Sequence, residues 1–335
     1  MKILQIGAYP EFAILDVPVP EPGPGEVLLR VEAVTTCPQW DLHLRHNEPM
    51  FLGHRFHYPY TLGQPGHEAT GTLAALGEGV TGLTIGERVS AWRDAGHGRP
   101  GCYAQFVVLS AESVIPVPAE LPYEATASVE LAMCVGATFL MLRDMNVLAG
   151  QLVGITGLGP AGLIAAQMAR AEGAASVVGF DLSEERCRFA VEHNLVDAAY
   201  DPRSAPEDLY PARPKPTTLH CGIDCVGAKR SVEWLMDHVA NTLALFGVQR
   251  EDYAFTPRHY HPMLRLCGYP GHSRAAAEYA VALITAGKLD LTPLVTHTLP
   301  LERYNEAIDL LENQQAIKVC FTPWSELHCS GTIGP

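Results

Sequence analysis

LVGITGLGPAGLIAAQMARAEGAASVVGFD, residues 152–181, reads as a buried strand, a glycine turn, a helix and a second strand that ends in a carboxylate. The apolar run Leu152 to Thr156 suits a fully buried parallel strand, and Gly157, Gly159 and Gly162 follow it in G-x-G-x-x-G register. Gly157 permits the tight turn, Gly159 lets a pyrophosphate approach the backbone, and Gly162 lets the helix lie close on the strand. Pro160 and Ala161 complete the turn, and the helix start offers free N–H groups and a positive dipole end to phosphate. Asp181, 19 residues beyond Gly162, is placed to accept hydrogen bonds from ribose hydroxyls and to repel a 2′-phosphate. The stretch therefore predicts a dinucleotide site that favours NAD over NADP. Arg186, five residues further on, is long enough to reach a 2′-phosphate, but with Asp181 present it is read as lying along the adenine.

The flanks enlarge this unit into an α/β domain. From about Thr138 the pattern alternates helix and buried strand, with strands expected at 152–156, 176–180, 219–225, 243–247 and 263–267, the signature of a doubly wound parallel sheet. The segment DPRSAPEDLYPARPKPTTLH carries five prolines, so the crossover helix due there should be short or missing. Residues 1–137 instead contain short β-like runs broken by Gly and Pro, such as EVLLRVEAV, ERVSAW and AQFVVLS, and suggest an irregular β-rich domain. After a helical segment from Ser273 to Gly287, the tail supplies a strand, a helix and a strand that should rejoin the first domain. The expected division is 1–137 with 288–335, and 138–287.

At 335 residues, 47% hydrophobic and 18% charged, the chain can bury two ordinary cores. A formal charge of −14 with only 23 Lys plus Arg argues against nucleic acid or an anionic membrane as the main partner. The N-terminal stretch lacks the apolar core of a secretory signal, and no run of about 18 apolar residues is present to span a bilayer. Nine cysteines, an odd number scattered from Cys37 to Cys329, suggest reduced thiols and a cytoplasmic setting. Individual cysteines are then available as ligands.

Cys37, His67 and Cys134 are the types that bind zinc, and three protein ligands with an open position mark a catalytic site. Their spacing is long, and taken alone the three residues are better explained as buried structural thiols with a satisfied histidine.

Over nearly its whole length the chain resembles the zinc-dependent alcohol dehydrogenases of the medium-chain dehydrogenase/reductase family. The likeness rests on the approach from Val27 to Cys37, on Gly66-His67-Glu68, on Gly77-Glu78-Gly79-Val80 with Gly86-Glu87-Arg88-Val89, on the turn from Gly157 to Gly162, on Asp224-Cys225-Val226-Gly227, and on Ala316-Ile317-Lys318-Val319. It implies a GroES-like catalytic domain beside the Rossmann-type one, with one catalytic zinc on Cys37, His67 and Cys134, the last preferred over Glu130, which stands one helical turn away where some members use glutamate. Glu68 becomes a partner able to approach the metal, Thr138 lies against the nicotinamide, Cys225 and Val226 flank the cofactor, and Lys318 reaches the pyrophosphate. It further implies a small alcohol or carbonyl substrate and a homodimer or homotetramer.

Two departures stand out. Between Arg88 and Tyr103 there is a single cysteine, Cys102, so the structural zinc of many members is not expected. After Cys37 the run Pro38-Gln39-Trp40-Asp41-Leu42-His43 has one extra residue and lacks the hydroxyl that normally passes the substrate proton on. Asp41 and His43 remain from the relay, and His43 is the best shuttle because imidazole titrates near neutral pH. The expected activity is hydride transfer between a primary or secondary alcohol, or its carbonyl, and NAD(H). The missing hydroxyl keeps open a redox-neutral enzyme that uses transient oxidation for elimination or bond cleavage. A metal-free NADPH-dependent quinone or enoyl reductase would share the fold, but Asp181 and the cysteine set argue against it. A non-catalytic dinucleotide-binding protein is the reading from outside enzymology.

Overall fold

The computed structural model describes residues 1–325 apart from Leu52, Ala95 and His97. Two compact units are present, Met1–Glu130 with Leu294–Pro335, and Leu131–Pro293. The helix Val129–Asp144 begins at the end of the first stretch and continues into the second.

The second unit is built on a six-stranded sheet, and every pairing in it is parallel. Its strands lie in the order Ala198–Tyr200, Ser176–Phe180, Leu152–Thr156, Leu219–Asp224, Val239–Leu245 and Arg265–Gly268. The doubly wound reading is therefore correct. The helix Pro160–Ala171 buries Gly162, Ala165, Ala166 and Ala169, small residues that let it lie close on the sheet. Two strands differ from expectation: the fourth begins at Val239 and the fifth at Arg265. Asn241 and Thr242 give the start of the fourth the look of a turn, yet Thr242 is fully buried between its neighbours.

No helix forms between 201 and 218. Prolines deny that segment helical hydrogen bonds, and it covers the sheet with side chains instead. Tyr210 meets the Phe180 ring edge-on at 5.6 Å, and buried Arg213 donates to the Met236 carbonyl at 3.1 Å.

The first unit has a seven-strand sheet in which Val295–Leu299, Lys318–Phe321, Glu26–Thr35, Glu68–Leu76, Arg88–Ala91 and Val114–Pro116 follow one another, with Phe106–Ser110 paired to the long third strand. Except for the parallel pair at Val295–Leu299, its pairings are antiparallel. The tail thus supplies two strands to the N-terminal unit, as its pattern predicted. Three rings meet in the core of this unit, with the Tyr103 centroid 5.9 Å from that of Tyr304 and 5.3 Å from that of Phe321. No helix among the described residues is long and apolar enough to cross a membrane.

Candidate functional site

Strand register assembles the first cluster. Thr35, the last residue of its strand, lies opposite Glu68, the first residue of the next. Cys37 is two residues beyond one strand and His67 one residue before the other, so the two arrive together. The ligand atoms of Cys37, His67 and Glu68 all lie within 4.8 Å of one another. Cys37 also caps the helix Pro38–His46, and Pro38 at the first helical position starts that helix at once.

His67 Nδ1 lies 2.7 Å from the Pro65 carbonyl, which can only accept, so Nδ1 donates and Nε2 is left to the cluster. Glu130 Oε2 is 3.7 Å from that Nε2. Burial pulls the His67 pKa down, but the hydrogen bond to Cys37 and the charges of Glu130 and Glu68 outweigh it and hold the ring well above its usual value. A thiol, an imidazole with its far nitrogen fixed and surrounding carboxylates fit a divalent cation of the zinc type.

The remaining residues expected here have other duties. Asp41 is fully buried. Its Oδ2 accepts from Cys37 N at 2.9 Å and from the Tyr103 hydroxyl at 2.9 Å, and its Oδ1 accepts from Tyr304 at 3.1 Å. Burial pushes its carboxyl up to about 6, against those stabilising hydrogen bonds. Asp41 therefore ties the metal-side loop to the core.

Lys318 is engaged within the first unit. It has no exposed surface, and its ammonium donates to both Glu68 oxygens at 2.6 Å and to the Thr36 carbonyl at 2.7 Å. His43 lies on the last turn of its helix with Nδ1 3.2 Å from the Glu48 carbonyl. In the irregular segment after this helix, His54 packs edge-on against Trp40 and Phe56, while His57 is exposed.

In the second unit Cys134 is buried, with Sγ within 4.8 Å of a ring nitrogen of His272. His272 carries no sequence signal, standing in the irregular run before the Arg274–Thr285 helix. Thr138 is buried on the same helix as Cys134, and its hydroxyl has no hydrogen-bond partner among the described residues. An orphan hydroxyl of this kind suits a bound ligand. The described cysteines form no disulfide, and Cys329 lies outside the described residues.

The glycine turn has the geometry its spacing demands. Gly157 has φ 82°, and its N–H donates to the Phe180 carbonyl at 2.8 Å. A side chain on Gly162 would drive its Cβ into the Gly157 carbonyl oxygen, whereas one on Gly159 would meet nothing nearer than Arg186 Nη1 at 3.9 Å. The first is a packing contact, and the second is open space of the sort a phosphate fills. Pro160 and Ala161 open the helix there. Gly162→Ala is accordingly expected to force the turn apart, costing about 1–3 kcal/mol of stability and weakening dinucleotide binding at least about tenfold. Fluorescence titration with NADH and NADPH, alongside urea unfolding, measures both.

Asp181 accepts from Leu158 N at 2.7 Å and from Ser183 N at 2.9 Å, so it also pins the turn to the second strand. Arg186 Nη1 lies 3.8 Å from its Oδ2. At the neighbouring strand end, Cys225 N donates to the Thr156 carbonyl at 2.9 Å and Val226 is exposed. Asp224, which no sequence argument singled out as a working residue, is fully buried there. It accepts from Ser231 at 2.6 Å, Gly227 N at 2.9 Å and Thr156 at 3.1 Å, which ties two strand ends together. An acid closing the apolar strand LHCGID is the signal that could have found it.

Comparison with known proteins agrees with both units. Residues 23–119 match the alcohol dehydrogenase GroES-like domain. L-threonine 3-dehydrogenase of Proteus mirabilis (strain HI4320) is 27% identical over 346 residues, covering 95% of this chain and 98% of the relative. Galactitol-1-phosphate dehydrogenase from Escherichia coli superposes with a TM-score of 0.80 at 23% identity, over 96% of this chain and 100% of its own. A protein of Sinorhizobium meliloti 1021, solved bound to NADP, does so with a TM-score of 0.80 at 24% identity, over 96% and 99%. With a GroES-like domain at residues 23–119 and a parallel-sheet unit beside it in sequence, these likenesses support a zinc-alcohol-dehydrogenase-like protein of the medium-chain dehydrogenase/reductase type.

Proposed function

We propose that this chain is a zinc-dependent dehydrogenase that moves a hydride between a primary or secondary alcohol, or the corresponding carbonyl compound, and NAD(H). The observation that carries the reading is the meeting of Cys37, His67 and Glu68 ligand atoms within 4.8 Å, with His67 Nδ1 anchored on a backbone carbonyl. Cys37 and His67 are the first two ligands, and Glu130, 3.7 Å from His67 Nε2, is favoured as the third over Cys134. Zinc bound there supplies a Lewis acid for the substrate oxygen, and a nicotinamide supplies the hydride acceptor.

The chain's own residues position these groups. The Pro65 carbonyl orients His67, and Asp41 holds the Cys37 backbone. Gly159 and the helix start at Pro160 offer backbone to a pyrophosphate, while the unpartnered Thr138 hydroxyl is available to the nicotinamide end. Asp181 keeps a negative charge beside the ribose position and supports NAD as the preferred form. His43 is the remaining candidate to hand a proton to solvent.

Metal analysis of purified wild type and Cys37→Ala, with turnover on an alcohol panel, tests the proposal. Wild type should hold one zinc per chain at the site. Cys37→Ala should lose that zinc and fall roughly a hundredfold to ten-thousandfold in turnover, the several kcal/mol a Lewis acid contributes. Undiminished turnover in Cys37→Ala would sink the metal mechanism, and tighter binding of NADPH than NADH would overturn the role given to Asp181.

A further inference from the structure

The run after Cys37 that lacks a relay hydroxyl carries an indole instead. Cys37 caps the helix Pro38–His46, and Trp40 is the third residue after it, so the two are neighbours across the first helical turn. Around Trp40 three rings of the first unit stand at right angles to one another. Its ring centroid is 5.7 Å from that of His54 at 90° and 6.3 Å from that of Phe56 at 79°, and those two are 4.6 Å apart at 88°. Three mutually perpendicular planes with neighbouring centres make a corner. Phe51 stands 4.9 Å from His54, and Phe56 continues the series to Tyr60 at 5.5 Å. This is not closed core, because Phe51 is 52% exposed and Trp40 and His54 are only half-buried. The Tyr60 hydroxyl is buried without a hydrogen-bond partner among the described residues, as suits a site that a ligand completes.

Resting on the dehydrogenase reading, we propose that this aromatic corner selects aryl alcohols, with Trp40 as the residue that sets the preference. The substrate hydroxyl lies at the Cys37 and His67 cluster, and the aryl ring enters the corner one helical turn away. Oxidation takes a hydride from the carbinol carbon to NAD⁺ and a proton from the hydroxyl to solvent, leaving an aryl aldehyde or ketone and NADH. A fourth ring in the corner makes edge-to-face and offset contacts with several rings at once, whereas an alkyl chain gains burial alone. The corner also brings no charge. His54 Nδ1 accepts from the Met50 N–H at 3.2 Å, so its hydrogen is on Nε2 and the imidazole is neutral. Ring faces and one neutral N–H suit an uncharged aryl group better than a phosphate or a carboxylate.

Saturation-transfer NMR of the purified protein with benzyl alcohol and with butan-1-ol reads binding at the corner, and kcat/KM on the same two alcohols with NAD⁺ reads its use. Wild type should transfer saturation to the aryl protons far more than to the butyl chain. It should also favour benzyl alcohol about tenfold or more in kcat/KM. Trp40→Ala should lose the aryl transfer and bring the two kcat/KM values together, and Trp40→Phe should restore most of both effects. A folded Trp40→Ala that keeps the preference would overturn the proposal, and so would wild type without aryl transfer. Should Trp40→Ala fail to fold, Phe51→Ala, at a half-exposed ring, decides instead. Its preference for benzyl alcohol should fall about threefold, and an unchanged preference refutes the corner. Aryl transfer that Trp40→Ala abolishes, without turnover of either alcohol, would support the aryl site and refute the dehydrogenase reading, so the two failures are distinct.

Discussion

Glu68→Ala is expected to lower the unfolding free energy of the first unit by about 3–5 kcal/mol, the cost of leaving one member of a buried ion pair without its partner. The ammonium of Lys318 would keep only the Thr36 carbonyl, in a place where neither it nor Glu68 has water access. Urea unfolding of metal-free protein measures this without interference from bound cation. Removing both charges with apolar residues of similar size, Glu68→Leu with Lys318→Met, should recover most of the loss, because the pair's attraction largely offsets its own desolvation. A single substitution that costs less than about 1 kcal/mol would show that the pair is hydrated in solution.

Asp41→Ala should cost about 3 kcal/mol or more, since three buried donors lose their acceptor together: the Cys37 N–H and the hydroxyls of Tyr103 and Tyr304. The informative contrast is Asp41→Asn. An amide oxygen in the place of Oδ2 still accepts from Cys37 N and Tyr103, and its NH2 group can donate to the Tyr304 hydroxyl, which accepts as readily as it donates. Asn should therefore stay within about 1 kcal/mol of wild type and keep kcat, whereas a proton-relay carboxylate would lose turnover on becoming an amide. Parallel unfolding and steady-state kinetics on the two variants separate these roles.

Local features are legible in the residues and distant pairings are not. The turn from Gly157 to Gly162 can be read because its geometry is set by spacing within a few residues, and Gly162 meets the Gly157 carbonyl as that spacing requires. Cys37 and His67 are legible as ligand types, but their meeting depends on the register of Thr35 against Glu68. Lys318 reads as a solvated or phosphate-seeking cation because nothing near it in sequence marks it as buried. Its partner lies 250 positions away. Asp41 reads as a relay acid for the same reason, with its acceptor duties set by tyrosines 62 and 263 positions distant. The start of the Val239–Leu245 strand is hidden because Asn241 and Thr242 are polar, although the sheet buries Thr242 completely.

The strands Val295–Leu299 and Lys318–Phe321 complete a sheet whose other members all lie before residue 117. During synthesis, Glu68 leaves the ribosome 250 residues before Lys318, the cation that balances it. The intervening parallel-sheet unit is whole by then and can fold as the chain emerges. Until Lys318 arrives, Glu68 is a carboxylate without its partner cation. Addition of the strand Lys318–Phe321 to the sheet then becomes the step that gives Glu68 its partner.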